Sequence, residues 1–250
     1  MTPRISVIIP TQRRPKGLAL AARSICRQAG LEAGDIELII VDNDQCPSAR
    51  SLAADLAGEA PFAVHYVHET ATGVVNARNA GLAKAVGGLI AFLDDDEEAP
   101  AGWLAQMVDA QAAYEADVVF GPVRARAPDA VREHRTYLET FFSREGPARS
   151  GPIDRYYGCG NSLIRRAALP DWSAPFSMRR NLIGGEDDLL FGGMSEAGAR
   201  FAWAADAFVW EDPVPERLTL GYTIRRAFAY GQGPSYTAAE NGQPVTSAFE

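Results

Sequence analysis

The chain has 250 residues, 47% hydrophobic and 22% charged, which suffices for the full core of one globular domain, or of one domain with a small appendage. A net charge of −8 argues against nucleic acid as the main partner, since a protein that tracks phosphates presents a basic face. Cys26, Cys46 and Cys159 are odd in number and lack a C-x-x-C pair, which argues against a disulfide framework and a zinc knuckle and suits a reducing cytoplasm.

In chain order, the N-terminus passes from Met1 to Arg4 into a short apolar run ended by Pro10, without the longer apolar region and small-residue cleavage site of a secretory signal. No apolar stretch approaches the roughly 20 residues that span a bilayer, so the expectation is a soluble or peripheral protein that is not exported. Strand-like runs at 5–10, 37–41, 63–67 and 89–93 alternate with helical patterns at 18–28, 49–56, 75–85 and 103–114. The apolar runs are continuous rather than alternating, which predicts an α/β fold whose mainly parallel sheet is covered by helices on both faces. Such sheets bind ligands at the carboxyl ends of their strands, where this chain carries Pro10-Thr11-Gln12, Asp42-Asn43-Asp44 and Asp94-Asp95-Asp96.

Asp94-Asp95-Asp96-Glu97 follows the apolar run 89–93 and ends a buried strand with four acids. Carboxylates so close repel one another, and a divalent metal or an array of donors is the usual offset; a solvated acidic loop is the alternative. Oxygen-only ligands favour magnesium, manganese or calcium over zinc. His65, His68 and His134 are too few and too poorly spaced for a metal box. A fifth strand is expected at 117–123, and residues 124–157, punctuated by Pro128, Pro147, Gly151 and Pro152, read as a long loop region. Beyond it follow Gly158-Cys159-Gly160-Asn161, a strand at 162–165, the turn Gly184-Gly185-Glu186-Asp187-Asp188 and a helix through Ala197.

Six segments, taken together and in order, resemble the family 2 glycosyltransferases: Ile5 to Thr11, Val41-Asp42-Asn43, Gly73 with Ala77-Arg78-Asn79-Ala80-Gly81, Phe92 to Asp96, Gly160-Asn161 and Gly185 to Leu189. Within that family the tail Glu211 to Thr219 is similar to bacterial exopolysaccharide enzymes of the succinoglycan type. The resemblance implies a GT-A fold with a nucleotide-sugar-binding half over about 1–123 and an acceptor-binding half over about 158–250. It implies a nucleoside-diphosphate sugar donor, UDP by default, a saccharide or lipid-linked saccharide acceptor, and inversion at the anomeric carbon.

By the same resemblance Pro10, Thr11 and Gln12 line the nucleobase, although an ordinary strand-to-helix turn explains Gln12 equally well. Asp42 and Asn43 correspond to the pair that reads uracil or ribose; for Asn43 the alternative is an Asx turn capping the helix from Ser48. Arg78 would hold a phosphate or the base, with a salt bridge as the duller choice, and Asn79 and Gly81 would be packing and turn residues. Asp96 aligns with the direct ligand of Mn2+ or Mg2+, while Asp94 and Asp95 contact the ribose, the donor sugar or the metal's waters. Asp187 matches the catalytic base, with Glu186 and Asp188 beside it on the acceptor side, and capping of the following helix accounts for the triplet otherwise. Trp172 suits acceptor contact and Trp203 the core. Glu211 stands where many relatives carry a metal-binding His.

A basic amphipathic helix is expected over 217–231, with Leu218, Tyr222, Ile224 and Phe228 on its apolar side, either resting on the inner face of the cell membrane or closing the acceptor cleft. Two other classes remain: a metal-dependent nucleotidyltransferase and a non-catalytic sugar-nucleotide-binding module. The first lacks its glycine-rich loop, since no glycine precedes Gly17, and the second predicts loss of Asp96 or Asp187, both present.

Overall fold

The computed structural model describes residues 4–172, 174–181 and 185–228. They form two compact units, drawn from Met1–Arg124 with Arg144–Glu211 and from Ala125–Ser143 with Asp212–Glu250. The first unit opens with β1 (Ile5–Thr11), α1 (Pro15–Cys26), β2 (Ile36–Asp42), α2 (Arg50–Glu59), β3 (Ala63–His68), α3 (Val74–Lys84) and β4 (Leu89–Phe92). Each helix connects two parallel strands, and Pro15 at the first position of α1 supplies a preset backbone angle where the missing N–H costs nothing. The strands stand in the order β3-β2-β1-β4, so the winding reverses between β1 and β4.

β5 (Glu97–Glu98), α4 (Trp103–Ala113), β6 (Val118–Phe120) and β7 (Val123–Ala125) follow. The strand expected at 117–123 is therefore two strands, broken at Gly121-Pro122. α5 (Arg135–Phe142), β8 (Gly151–Ile153), β9 (Ser162–Arg165), α6 (Glu186–Glu196), β10 (Phe201–Trp203) and β11 (Val209–Glu211) complete the elements. The main sheet extends to β3-β2-β1-β4-β9-β6-β10-β8, in which β9 runs antiparallel to both its neighbours, and β5-β11-β7 form a second, smaller sheet.

Both faces of the main sheet are buried, which explains the unbroken apolar strands. One face packs Val7, Ile9, Leu38, Ile40 and Ala91 against Leu18, Ala22 and Ile25 of α1, Leu56 of α2 and Trp103, Leu104 and Met107 of α4. The other packs Ile8, Ile39, Phe92 and Phe120 against Val75 and Leu82 of α3 and Leu190, Phe191 and Met194 of α6, with Trp203 in this core as expected. Asn79 joins it by bonding both backbone groups of Phe176, at 2.9 and 3.1 Å.

Residues 124–157 are not a continuous loop. β8 carries Pro152 yet pairs with β10, because it is the sheet's edge strand and proline is tolerated there. In the second unit, Leu138 of α5 is buried with Ala127 and Leu218, and Phe142 stacks on Tyr222. A helix occupies 220–228, and Arg217 lies in the 3-10 turn before it rather than within it. The remainder of the helix expected to 231 falls outside the described residues.

Candidate active site

β1 and β4 part at the reversal of strand order, and their carboxyl ends carry Thr11 and the acidic run, the place where an α/β sheet takes its ligand. Thr11 Oγ1 donates to Asp95 Oδ2 at 2.7 Å and ties the two strand ends together. Arg14, capping α1, places Nη1 2.9 Å from Asp95 Oδ1 and 2.6 Å from Asp96 Oδ2. α1 comes so close that a Cβ on Gly17 would stand 2.3 Å from the Asp95 carbonyl oxygen. The Asp94 N–H donates to Glu97 Oε2 at 2.9 Å and closes the turn.

The crowding appears in the titration of these groups. Burial raises the carboxyl pKa of Asp94 and, well beyond its usual range, that of Glu97, each carboxyl worsened by acidic neighbours. Asp95 is pushed up to about 6 by burial, against the pull of Arg14 and Thr11.

α6 contributes the second acidic group. Glu186, Asp187 and Asp188 fill its first turn, where carboxylates complement the helix dipole. Asp187 is half-buried; its Oδ2 accepts from the Cys159 N–H at 3.1 Å and its Oδ1 from the Asp188 N–H at 3.0 Å. Asp188 is exposed. Arg78 connects the two groups: Nη1 donates to Glu186 Oε1 and Nη2 lies 3.8 Å from Asp94 Oδ1. Burial alone would lower the pKa of Arg78, but Cys159, Asp94, Glu186 and Asp187 around it hold the guanidinium above its ordinary value. Burial also pushes the Glu186 carboxyl up, and the Cys159 thiol up to about 12.

The rim thus unites Thr11, Asp94, Asp95, Asp96, Glu97, Glu186, Asp187 and Asp188, and it adds Arg14 and Arg144, which the sequence did not single out. Register adds one more: β11 runs antiparallel to β5 and sets Glu211 directly opposite Glu97. Pairing through space, between Arg14 and Asp96 or Arg78 and Glu186, leaves no local pattern to read. The one available signal was the fourth acid of the run, Glu97.

Other residues are placed differently from expectation. Asp42 is fully buried, its Oδ2 accepting from the Ala49 N–H at 2.7 Å and Tyr66 OH at 2.9 Å and its Oδ1 from Ser48 Oγ at 3.2 Å, so the fold consumes this carboxylate. The turn before α2 that Asn43 was expected to hold is bonded by Asp42 instead. Asn43 accepts from the Gly73 N–H at 2.8 Å and donates to the carbonyls of Glu69 and Ala71, latching β2 to the loop before α3. Gln12 donates to the Asn43 carbonyl at 2.8 Å beside Pro10, which is half-buried at the end of β1.

Arg78 is 5% exposed and paired with Glu186, so it presents no open fork to a phosphate, and Glu186 presents none of its carboxylate to an acceptor. Trp172 is not on this rim. It stands with Gly88 and Arg166 below the start of β4, its ring 3.6 Å from the Arg166 guanidinium carbon, because β9 runs antiparallel and delivers the chain to the other end of the sheet.

Comparison with known proteins agrees with this architecture. The model of Glycosyl transferase family 2 matches residues 6–172. Succinoglycan biosynthesis protein ExoM of Rhizobium meliloti (strain 1021) is 36% identical over 250 residues, covering 99% of this chain and 79% of that protein. The GalNAc(5)-diNAcBac-PP-undecaprenol beta-1,3-glucosyltransferase of Campylobacter jejuni is 30% identical over 107 residues, 42% of this chain and 34% of the relative. S. aureus TarS shares the fold at a TM-score of 0.64 and 17% identity over 93% of this chain, which spans 40% of the TarS chain. The shorter TarS 1–349 in complex with UDP-GlcNAc gives 0.62, at 18% identity over 85% of this chain and 59% of that one. On its matched segments, its near full-length relative and its fold, this chain belongs to the family 2 glycosyltransferases.

Proposed function

We propose that the protein is a metal-dependent inverting transferase that moves a hexose from a UDP-sugar to a saccharide or lipid-linked saccharide acceptor in exopolysaccharide synthesis. The observation that carries this reading is the meeting of Asp94, from the first acidic group, and Glu186, beside Asp187 in the second, at one guanidinium, that of Arg78. Relatives support the finer points: the name of ExoM for the polymer, that of the Campylobacter enzyme for an undecaprenol-linked acceptor, and the TarS complex for UDP-GlcNAc.

Asp187 takes the proton of the acceptor hydroxyl while the acceptor oxygen bonds to the anomeric carbon; the anomeric C–O bond to the diphosphate breaks, and its electron pair leaves with UDP. Because the hydroxyl becomes acidic only as that bond breaks, a carboxylate is base enough, and a single displacement inverts the centre. Thr11 and Gln12 line the nucleoside side, with Asp94 and Asp95 toward the ribose and the sugar.

Asp96 would hold Mn2+ or Mg2+, whose Lewis acidity neutralises the leaving diphosphate. The residues suit it: their donors are hard oxygens, and Asp95 and Asp96 already attract the cation of Arg14. Among the described residues no three His, Cys, Asp or Glu side chains converge as a closed cage, so phosphate and water would complete the coordination, as magnesium favours.

Binding and slow hydrolysis of UDP-, GDP- and dTDP-sugars with Mn2+ test the reading in wild type, Asp96→Ala and Asp187→Asn. One donor binding only with metal, lost in Asp96→Ala and retained but not hydrolysed in Asp187→Asn, supports every role. A wild type that binds no nucleotide sugar overturns it.

The second unit favours a peripheral membrane contact on the cytoplasmic face. Leu220, Ile224 and Phe228, four residues apart on the helix at 220–228, are 41%, 66% and 71% exposed, and Arg225 is exposed beside them. Among the described residues no helix is long and apolar enough to cross a membrane. Flotation with anionic liposomes should fall on Arg225→Glu with Arg226→Glu; unchanged flotation removes the idea.

A further inference from the structure

Arg144 lies outside every matched motif, in the stretch that reads as a loop, yet its side chain ends in the acid cluster. Its backbone is fixed by two reciprocal bonds with Val123, at 2.9 and 2.7 Å. From there Nη2 donates to the carbonyl of Gly160.

The segment it grips runs between the two acidic groups. A Cβ on Gly160 would stand 2.6 Å from Asp94 Oδ2 and 3.1 Å from Glu97 Oε1; one on Gly158 would stand 2.8 Å from Arg144 Nη1 and 3.2 Å from Asp187 Oδ2. A side chain at either position would push these carboxylates and the guanidinium out of place. Between them the Cys159 N–H donates to Asp187 at 3.1 Å. The guanidinium also offsets the charge of Asp94 and Glu97, and among the described residues its buried Nε meets no acceptor.

We propose that Arg144 is a positioning residue for the transfer: by holding Gly158-Cys159-Gly160 between Asp94 and Asp187 it fixes the distance from the donor-side acid to the base. This rests on the assignment of Asp187 as base. A guanidinium serves because it bonds the Gly160 carbonyl and faces the acids on one rigid plane, which a lysine ammonium reproduces only in part. Misplacing a reacting group by about 1 Å costs on the order of 100-fold in rate.

The test uses the full chain with Arg144→Gln and Arg144→Lys, read by amide hydrogen exchange over residues 158–160, UDP affinity with Mn2+, and kcat for hydrolysis of the UDP-sugar that wild type accepts. In Arg144→Gln we expect exchange at these amides to rise at least 10-fold, kcat to fall about 100-fold and UDP affinity to stay within about twofold; Arg144→Lys recovers part of both losses. Thermal unfolding identifies a variant that has not folded, in which case Arg144→Lys alone is read, with the same signs and smaller amplitude. Unchanged exchange, or a loss of UDP affinity equal to the loss in kcat, overturns the proposal. A wild type that hydrolyses no donor overturns the transferase reading instead, and exchange alone then decides whether Arg144 holds the segment.

Discussion

The two ends of the main sheet use the same chemistry to opposite effect. At the amino ends of the parallel strands, each buried acid has its own set of donors. Glu37 of β2 accepts from Ser6 Oγ and the Val86 N–H, with His65 Nε2 at 3.2 Å. Asp117 accepts from Arg165 Nε at 3.1 Å and the Arg200 N–H at 2.9 Å, and although burial opposes it, these donors hold its carboxyl below the usual range. At the carboxyl ends, Asp94, Asp95, Asp96, Glu97, Glu186 and Asp187 share the guanidiniums of Arg14, Arg78 and Arg144. Folding alone asks for the first arrangement. The second keeps negative charge in excess at one place, which is useful only if something cationic or proton-bearing arrives.

Removing the proton acceptor tests that difference most severely. Asp187→Asn keeps the shape and the capping of α6 but not the base, so kcat should fall about 10³-fold while UDP affinity changes less than twofold. An equal loss in affinity would make Asp187 part of donor binding and the excess of acids at this end merely structural. Next in size is Arg78→Met, which strands Glu186 in the core; unfolding in urea should show a loss of about 3 kcal/mol. Arg78→Met combined with Glu186→Leu should recover much of that stability without recovering activity.

The response to pH separates the two ends by sign. The folded chain keeps the Asp95 proton up to about 6, whereas the unfolded chain loses it near 4, so stability falls as pH rises through that window. The loss is on the order of 2–3 kcal/mol, and Asp95→Asn should flatten it in urea unfolding at pH 4.5 and 7. Asp117, with its carboxyl held low, contributes in the opposite sense: its stabilisation is complete above the ordinary carboxylate range and is lost as pH falls below it. Asp117→Asn should cost about 1–2 kcal/mol at pH 7 and progressively less as pH falls below the ordinary carboxylate range.

How far the sequence revealed this follows from where each signal resides. β1, β2 and β4 are legible because burial on both faces writes a largely apolar run, while β3, a partly buried edge, and β9, with Leu163-Ile164 between Ser162 and Arg165, are legible as shorter ones. α5 is not, since Leu138 is its one buried residue and prolines flank it. In the site, the acids were legible as a run and a triplet, but their counterions were not. Arg78 and Glu186 are 108 positions apart, and Arg144 reaches Gly160 by side chain alone. Asp42 and Asn43 are both buried and bonded within the fold, and composition does not say whether polar residues at a strand end serve the scaffold or a ligand.

The smallest expected effect concerns Trp172. An exposed tryptophan after a proline invites a sugar-stacking role, yet here it packs on Arg166 beside Gly88. From there to Asp94 the chain climbs six residues of extended strand, roughly 20 Å. A residue so placed touches neither donor nor hydroxyl, and Trp172→Ala should leave kcat/KM for a short acceptor within about twofold, with a stability loss of about 1 kcal/mol or less from the lost cation–π contact. Were the KM for a long acceptor to rise while that for a short one held, the quiet end of the sheet would be reached by the growing polymer, and the division between a structural and a reactive end would describe the charges but not the substrate.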